Sequence, residues 1–133
     1  MKKTFFITFM VLIVFVLGLL GASYKMTIKS AQIAEKKSNG WPWDSPPPIK
    51  PEPFVKVFVD NQLIYTTDTV KDTYSPVWNE SFSVSYKDGQ NIKIEVWDED
   101  LWSHDLIGNW HGTSLPDGRL SFGRVESLYV TVR

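Results

Sequence analysis

The chain has 133 residues, of which 43% are hydrophobic, and this suits one globular domain with its own core. The formal net charge is −1, from 14 Lys and Arg against 15 Asp and Glu. A surface that binds nucleic-acid phosphates needs excess positive charge, so the composition argues against a nucleic-acid partner. The chain has no cysteine, which excludes disulfides, thiolate metal sites and cysteine nucleophiles.

The first 22 residues differ in kind from the rest of the chain. Lys2 and Lys3 precede a run rich in Phe, Ile, Val and Leu that ends near Gly21-Ala22-Ser23, where a signal peptidase could cut. We interpret residues 1–22 as a bacterial-type signal peptide or as an N-terminal hydrophobic helix that stays in the membrane as an anchor, because about twenty apolar residues can span a bilayer. Residues 23–133 are then an extracytoplasmic domain: secreted, periplasmic or membrane-anchored.

Beyond residue 23, apolar and polar residues alternate with a period of two, which is typical of strands with one buried face. The segments predicted as strands are residues 24–33, 55–60, 63–67, 78–85, 92–97, 106–112, 119–122 and 128–133. Turn signals such as Asp88-Gly89 separate them, and no segment after the N-terminal run has a convincing helical period. The sequence therefore predicts an all-β fold, an eight-stranded antiparallel β-sandwich.

Three connections should emerge at one end of this sandwich if successive strands run up and down. They follow the first, third and fifth strands, at residues 35–53, 68–77 and 98–105. The first is long and rich in proline, and long loops in compact domains tend to be functional. The carboxylates of the first and third loops include Asp44, Glu52, Asp98, Asp100 and Asp105. Five acidic side chains from two distant segments are therefore expected to converge.

Three sequence blocks resemble those of the C2 domains, a family of calcium-dependent phospholipid-binding β-sandwiches. They are PFVKV at residues 53–57, SPVWNESF at residues 75–82, and IEVWDED at residues 94–100 followed by DLIG at residues 105–108. The blocks stand in the family's order and spacing, and the similarity covers about residues 24–133. The resemblance implies a sandwich of the type II strand order, since a core strand leads straight into the first calcium loop and the chain closes with a strand.

The resemblance also implies a function and a site. The domain would be a non-catalytic, calcium-dependent module that binds a phospholipid membrane surface. Its Ca²⁺ ligands would be Asp44 and Glu52 from the first loop with Asp98, Asp100 and Asp105 from the third. Clustered carboxylates suit calcium, which takes six to eight oxygen ligands. Without a cation the same cluster would repel itself and raise some of its pKa values.

Tryptophans in the same loops are candidates for membrane contact. Trp102 stands at the predicted apex of the third loop, and Trp41 and Trp43 flank Pro42 in the first. Tryptophan favours membrane interfaces because its ring is apolar while its N–H can stay hydrated. The alternative is that one or more of these rings fold back over the end of the sandwich, above all Trp43.

Other interpretations remain open at this point. The acidic residues could be solvated turn residues, which aspartate often is. A calcium-independent protein-interaction β-sandwich of the same fold is the main alternative function, because Glu52 stands where the family usually has aspartate and the third loop is one residue short. Catalysis by His104 or His111 is disfavoured, since no recognisable catalytic motif surrounds either residue. The sequence leaves a protein partner and the oligomeric state open.

Overall fold

The computed structural model of the protein describes residues 21–43 and 50–133. Its strands are β1 (Ala22–Ile33), β2 (Pro53–Val59), β3 (Gln62–Thr66), β4 (Val77–Tyr86), β5 (Ile92–Asp98), β6 (Asp105–Gly112), β7 (Gly118–Phe122) and β8 (Val125–Val132). Each of the eight predicted strands is present. The expected signal peptide or anchor falls mainly on residues 1–20, which lie outside the described residues. Within the described ranges, no helix is long and apolar enough to cross a bilayer.

The strands form two four-stranded antiparallel sheets, in the orders β4-β1-β8-β7 and β3-β2-β5-β6. The first strand, β1, pairs with β4 on one side and with the last strand, β8, on the other. The expected eight-stranded antiparallel sandwich is thus confirmed. β1 runs directly into the long loop, and the last strand, β8, pairs beside it in the same sheet, in agreement with the type II order.

The two sheets pack through the side chains that the alternation assigned to an inner face. In β2 and β5, Val57 lies opposite Ile94 in the ladder, and both are fully buried. The other sheet contributes Met26, Ile28 and Leu128, which are equally buried. Each such side chain contributes about 1.5 to 3 kcal/mol through removal of apolar surface from water. This core fixes the directions of β2, β5 and β6, whose ends carry the candidate site.

The edge strands β3 and β4, one from each sheet, are joined by a contact at one side of the sandwich. The rings of Tyr65 and Phe82 stack with their centroids 4.3 Å apart and their planes within 6°. The Tyr65 hydroxyl donates a 2.7 Å hydrogen bond to the carboxylate of Glu80. This hydrogen bond, with smaller contributions from burial and from the charges of Glu80 and Asp68, raises the pKa of Tyr65 to about 12. The hydrogen bond from the neutral phenol therefore helps to hold β3 and β4 together on this side of the sandwich.

On the opposite side, Gly108 of the third sequence block lets β6 and β7 approach closely. A Cβ atom at this position would lie 2.8 Å from the backbone oxygen of Phe122, which is too close for any ordinary contact. Next to it, the backbone N–H of Arg124 donates to the carbonyl of Ile107 over 2.9 Å. Glycine is thus required here so that the two sheets can meet.

Candidate functional site

Three loops meet at one end of the sandwich, as the up-and-down order predicted. The backbone N–H of Thr73, in the second loop, donates to the carbonyl of Pro51 over 2.9 Å. The backbone N–H of Glu99, in the third loop, donates to the carbonyl of Glu52 over 2.9 Å. Residues 50–52 are therefore fixed between the second and third loops by hydrogen bonds on both sides.

Asp98 lies buried at the bottom of this site. It is the last residue of β5 and lies opposite Pro53 on β2 and Asp105 on β6, and only 1% of its surface is exposed. Its Oδ1 accepts a 2.8 Å hydrogen bond from the backbone N–H of Glu52. The carboxylate thus anchors the first loop to the third, a structural role that the sequence did not predict.

Asp105 begins β6 and forms an ion pair with Lys37 of the first loop. The Lys37 Nζ atom lies 2.8 Å from Asp105 Oδ2, and both side chains are partly exposed. Since Asp105 also faces Asp98 across the ladder, two carboxylates would oppose each other at the ends of neighbouring strands. Like charges in directly opposite positions are destabilising, and the Lys37 ammonium offsets that repulsion.

Asp100 and His104 shape the third loop between these two aspartates. Asp100 Oδ1 accepts a 2.6 Å hydrogen bond from the N–H of Leu101, and the N–H of Asp100 donates to His104 Nδ1 over 3.2 Å. The His104 ring meets the Phe54 ring edge-on at 5.2 Å. His111, the other histidine, is placed near the far end of β6, about 20 Å away at strand spacing. The two histidines therefore do not share a site.

The first loop starts with a short hairpin that projects from the end of β1. Lys36 and Pro42 form an isolated bridge, and the N–H of Lys37 donates to the carbonyl of Trp41 over 2.9 Å. Gly40 makes the turn possible, because its φ of +84° is disfavoured for other residues. The hydrogen-bonded hairpin thus places the side chain of Lys37 next to the third loop.

Trp43 corrects one expectation from the sequence. It was a candidate for membrane contact, but only 4% of its surface is exposed and it belongs to the main hydrophobic core. Its Nε1–H donates a 2.8 Å hydrogen bond to the carbonyl of Ala34. The ring buries a large apolar surface and satisfies its one polar group inside the protein, so it is not available to a membrane. The alternative, a ring that folds back over the sandwich, is the one that occurs.

The three most exposed large apolar side chains of the described residues lie at this end. Trp102 is 94% exposed and Leu101 beside it 92%, while Trp41 on the hairpin is 68% exposed. Trp102 and Trp41, two of the three predicted membrane-contact residues, are thus accessible. Leu101 was missed, although two consecutive large apolar residues within an acidic loop are a signal that could have identified it. No sequence pattern indicated that Lys37 would contact Asp105.

The described residues include only part of the predicted ligand set at this end of the fold. Glu52, Asp98, Asp100 and Asp105 all lie at this end, whereas Asp44 is outside the described residues. Among residues 21–43 and 50–133, no three Asp, Glu or His side chains converge closely enough to hold a metal ion. The donor set nevertheless suits calcium in kind, because it consists of carboxylates at adjacent strand ends with backbone carbonyls nearby. To bind calcium, the Asp105 carboxylate would have to release the Lys37 ammonium.

The outer face of the β3-β2-β5-β6 sheet carries two lysines that contact aromatic rings. Lys93 Nζ lies 4.3 Å from the centre of the Phe58 ring and 3.6 Å from a Glu95 carboxylate oxygen. Lys56 Nζ lies 5.7 Å from the centre of the Trp97 ring. Both amines have cation–π partners within the protein, so this face is a mixed surface rather than a basic cluster.

An eight-stranded antiparallel sandwich with acidic and apolar loops at one end places the protein in the class of β-sandwiches that carry their candidate site on loops. The family model of the C2 domain matches residues 23–116 of this chain, which is more than half of it. The chain belongs to the C2 domain family.

Similar regions occur in several larger proteins. Synaptotagmin-A of Diplobatis ommata is 37% identical over 81 residues, which are 56% of this chain and 18% of that protein. Extended synaptotagmin-1 of Mus musculus is 36% identical over 63 residues, 46% of this chain and 6% of that one. The E3 ubiquitin-protein ligase pub1 of Schizosaccharomyces pombe is 41% identical over 49 residues, 37% of this chain and 6% of the ligase. This chain thus spans a small part of each relative.

Solved structures agree with the fold. A structure of extended synaptotagmin 2 that contains its SMP domain and two C2 domains superposes with a TM-score of 0.67 at 22% identity, covering 86% of this chain and 27% of that one. Human GIVD cytosolic phospholipase A2 superposes with a TM-score of 0.62 at 19% identity, covering 83% of this chain and 16% of the phospholipase. The likeness to the phospholipase and the ligase involves only a small part of each enzyme. None of these comparisons supports the expectation of a bacterial-type exported protein.

Proposed function

We propose that this C2 domain is a non-catalytic module that binds phospholipid membranes in a calcium-dependent manner. One observation carries the proposal: the exposed pair Leu101-Trp102 stands at the apex of a loop whose two ends carry Asp98 and Asp105. An apolar tip next to a set of carboxylates can combine insertion into a lipid surface with recognition of charge. The loop is positioned for both because β5 and β6 fix its two ends.

The acidic residues of the site are the proposed calcium ligands. Asp98, Asp100 and Asp105 would hold the ion, with Glu52 and Asp44 as the candidates from the first loop. Bound calcium would neutralise the opposed carboxylates and leave positions for lipid phosphate oxygens.

The apolar side chains complete the proposed contact with the membrane. Trp102, Leu101 and Trp41 would enter the interface, where a large apolar side chain gains about 1.5 to 3 kcal/mol on leaving water. The calcium-bound structure of the two C2 domains of extended synaptotagmin 2, with a TM-score of 0.66, supports the proposal by likeness of fold.

The test is calcium binding to residues 21–133, which contain all eight strands. A ligand that binds only the folded state stabilises it by RT ln(1 + [L]/Kd), so millimolar calcium should raise the melting temperature if the affinity is in the ~0.1 to 1 mM range of extracellular modules. Magnesium should do less, because it demands tighter geometry and keeps its waters. Co-sedimentation with liposomes should then require calcium and be reversed by a chelator.

A second candidate is a calcium-independent protein-interaction module of the same fold. It is favoured by the pairing of Asp105 with Lys37, which supplies positive charge to the site without a metal. In this case calcium up to about 10 mM, some tenfold above the weaker limit for such modules, would leave the melting temperature unchanged. That result would remove the metal from the proposal and make a protein the preferred partner.

The cellular location is a separate proposal that rests on residues 1–22 alone. If these residues direct export, or anchor the chain with its N-terminus in the cytoplasm, the C2 domain lies outside the cytoplasm. Fractionation of cells that express the tagged full chain, followed by protease treatment of intact cells, tests this directly. Recovery of the domain from the medium or the periplasm, or its digestion by protease that does not cross the cytoplasmic membrane, is the expected result, and recovery of the domain from the cytoplasm would contradict it.

A further inference from the structure

We infer that Lys37 is a built-in cation that competes with calcium for Asp105 and so sets the calcium affinity of the domain low. The inference rests on the proposed calcium site and adds a residue that controls its affinity. The evidence is the 2.8 Å ion pair between Lys37 Nζ and Asp105 Oδ2, which links the first loop to the start of β6.

The position of Lys37 is fixed by the backbone on both sides of it. Its N–H donates to the carbonyl of Trp41 and its C=O accepts from the N–H of Gly40, each over 2.9 Å. The hairpin is tied to the sandwich by the 2.8 Å bond from Trp43 Nε1 to the Ala34 carbonyl. A further 2.9 Å bond runs from Arg124 Nε to the carbonyl of Lys36. The ammonium thus extends from a well-supported backbone.

The backbone that carries the partner carboxylate is also fixed. Asp105 is the first residue of β6 and pairs in register with Asp98, which is buried. A calcium ion needs its ligand oxygens at about 2.3 to 2.6 Å. The Lys37 ammonium already lies within hydrogen-bond distance of one oxygen of Asp105. Two cations held this close on one carboxylate repel each other, so calcium enters fully only when the Lys37 side chain turns away.

This arrangement has two consequences for the domain. Without calcium, Lys37 offsets the repulsion between Asp98 and Asp105, so the loops can hold their positions before the ion arrives. With calcium, the ion pair must be broken and the positive charge of Lys37 remains nearby. The loss of the ion pair and the nearby positive charge each reduce the affinity for calcium. The pair is partly exposed and such pairs contribute modestly, so we expect roughly a 3- to 10-fold effect.

The experiment is a calcium titration by isothermal calorimetry on the full chain, purified in a zwitterionic detergent. Three variants are compared with the wild type: Lys37→Met, Lys37→Arg and Lys36→Met. Lys37→Met keeps the length of the side chain and removes the charge. Lys37→Arg keeps the charge. Lys36→Met is the matched control, because it removes the same charge one residue away, on a lysine that forms no ion pair among the described residues.

The expected result is calcium binding that is about 3- to 10-fold tighter in Lys37→Met than in the wild type, with Lys37→Arg and Lys36→Met close to the wild type. If the wild type does not bind calcium but Lys37→Met does, the inference holds and the proposed function of the natural protein fails. Equal or weaker binding by Lys37→Met overturns the inference while the proposed function stands. Equal gains from Lys36→Met also overturn it, because a general charge effect would explain them. If neither protein binds calcium, both fail.

Thermal melts in the presence of a chelator show whether the variants are folded. Should Lys37→Met lose its cooperative melt, Lys37→Gln replaces it, because glutamine removes the charge and keeps a polar end. The same outcomes then apply to the glutamine variant.

Discussion

The backbone N–H of Glu52 donates a 2.8 Å hydrogen bond to Oδ1 of Asp98, which lies 46 residues further along the chain. The contact means that Asp98 supports the loops as well as being a candidate metal ligand. Substitutions at this position therefore affect stability and calcium binding together, and the two effects have to be separated by the choice of side chain.

We predict that Asp98→Ala destabilises the calcium-free domain by about 1 to 3 kcal/mol, because the N–H of Glu52 loses its acceptor in a partly buried position. Asp98→Asn should cost less, since the amide oxygen can accept the same hydrogen bond and the repulsion with Asp105 is removed. Urea denaturation in the presence of a chelator measures both. Equal losses for the two variants would mean that the charge of Asp98, and not its hydrogen bond, supports the loops.

Asp100→Asn should separate calcium binding from folding. Asp100 is exposed and its hydrogen bonds to Leu101 and His104 are local to the third loop, so the free energy of unfolding should change by less than about 0.5 kcal/mol. The calcium-induced rise in melting temperature should fall, because one charged ligand is lost. An unchanged calcium response would exclude Asp100 from the site. Glu52→Asp is the companion variant and should keep or improve the response if the Glu52 carboxylate is a ligand.

The exposed apolar tip gives a prediction about membranes. Trp102→Ala and Leu101→Ala should each weaken calcium-dependent liposome binding, the former by about 1 to 3 kcal/mol, the order of burying one large apolar side chain. Neither should change the stability of the domain, because both side chains are almost fully exposed. The fluorescence of Trp102 should shift to the blue only when liposomes and calcium are both present. Calcium binding without retention by neutral or anionic liposomes would refute the membrane role.

Trp43 is predicted to behave in the opposite way. Trp43→Ala should lower the free energy of unfolding by about 3 to 5 kcal/mol, because it removes a buried aromatic ring from the core. Trp43→Phe should cost less, because it keeps an aromatic ring in the core and loses only the hydrogen bond to Ala34 and part of the buried volume. Denaturant titration of residues 21–133 provides the measurement. A stable Trp43→Ala domain with weakened liposome binding would instead restore Trp43 as a membrane-contact residue.

The contact between Tyr65 and Glu80 predicts a dependence of stability on alkaline pH. The pKa of Tyr65 is raised from 10.0 to about 12 in the folded protein. The unfolded chain therefore loses its phenol proton first, and stability falls as the pH rises from about 10 towards 12. At lower pH the contribution is fully present. Tyr65→Phe should remove this part of the pH profile, and urea denaturation at about pH 8, 10 and 11 compares the two proteins. Parallel profiles for wild type and variant would contradict the prediction.

The sequence was sufficient for the fold because the information lay in local alternation. Val57 and Ile94 fall on inner faces by a period of two, and that pattern is visible without knowledge of which strands pair. The convergence of the loops also followed, since it needs only the up-and-down order of the strands. The resemblance to C2 domains added the type II order, which alternation alone does not determine.

The details of the site could not be predicted, because they depend on contacts between distant segments. Nothing local marks Lys37 as the partner of Asp105, 68 residues away, since the contact arises from the turn of the hairpin and the register of β6. Trp43 and Trp102 look alike in sequence as tryptophans in loops, and only packing decides that one is buried and the other exposed. The sequence therefore identified which loops form the site, but it did not identify the role of each side chain in those loops.

The pairing of the first strand with the last has a mechanical consequence. Lys25 near the start of β1 and Arg133 after β8 exchange two backbone hydrogen bonds of 2.9 Å, so both ends of the sandwich leave from the pole opposite the loops. Tension applied between these two ends would load the β1–β8 ladder one residue pair at a time, like a zipper opened from its end. The domain should therefore yield at low pulling force along this axis, whereas tension between the loop tip and either end would shear many pairs together and meet greater resistance.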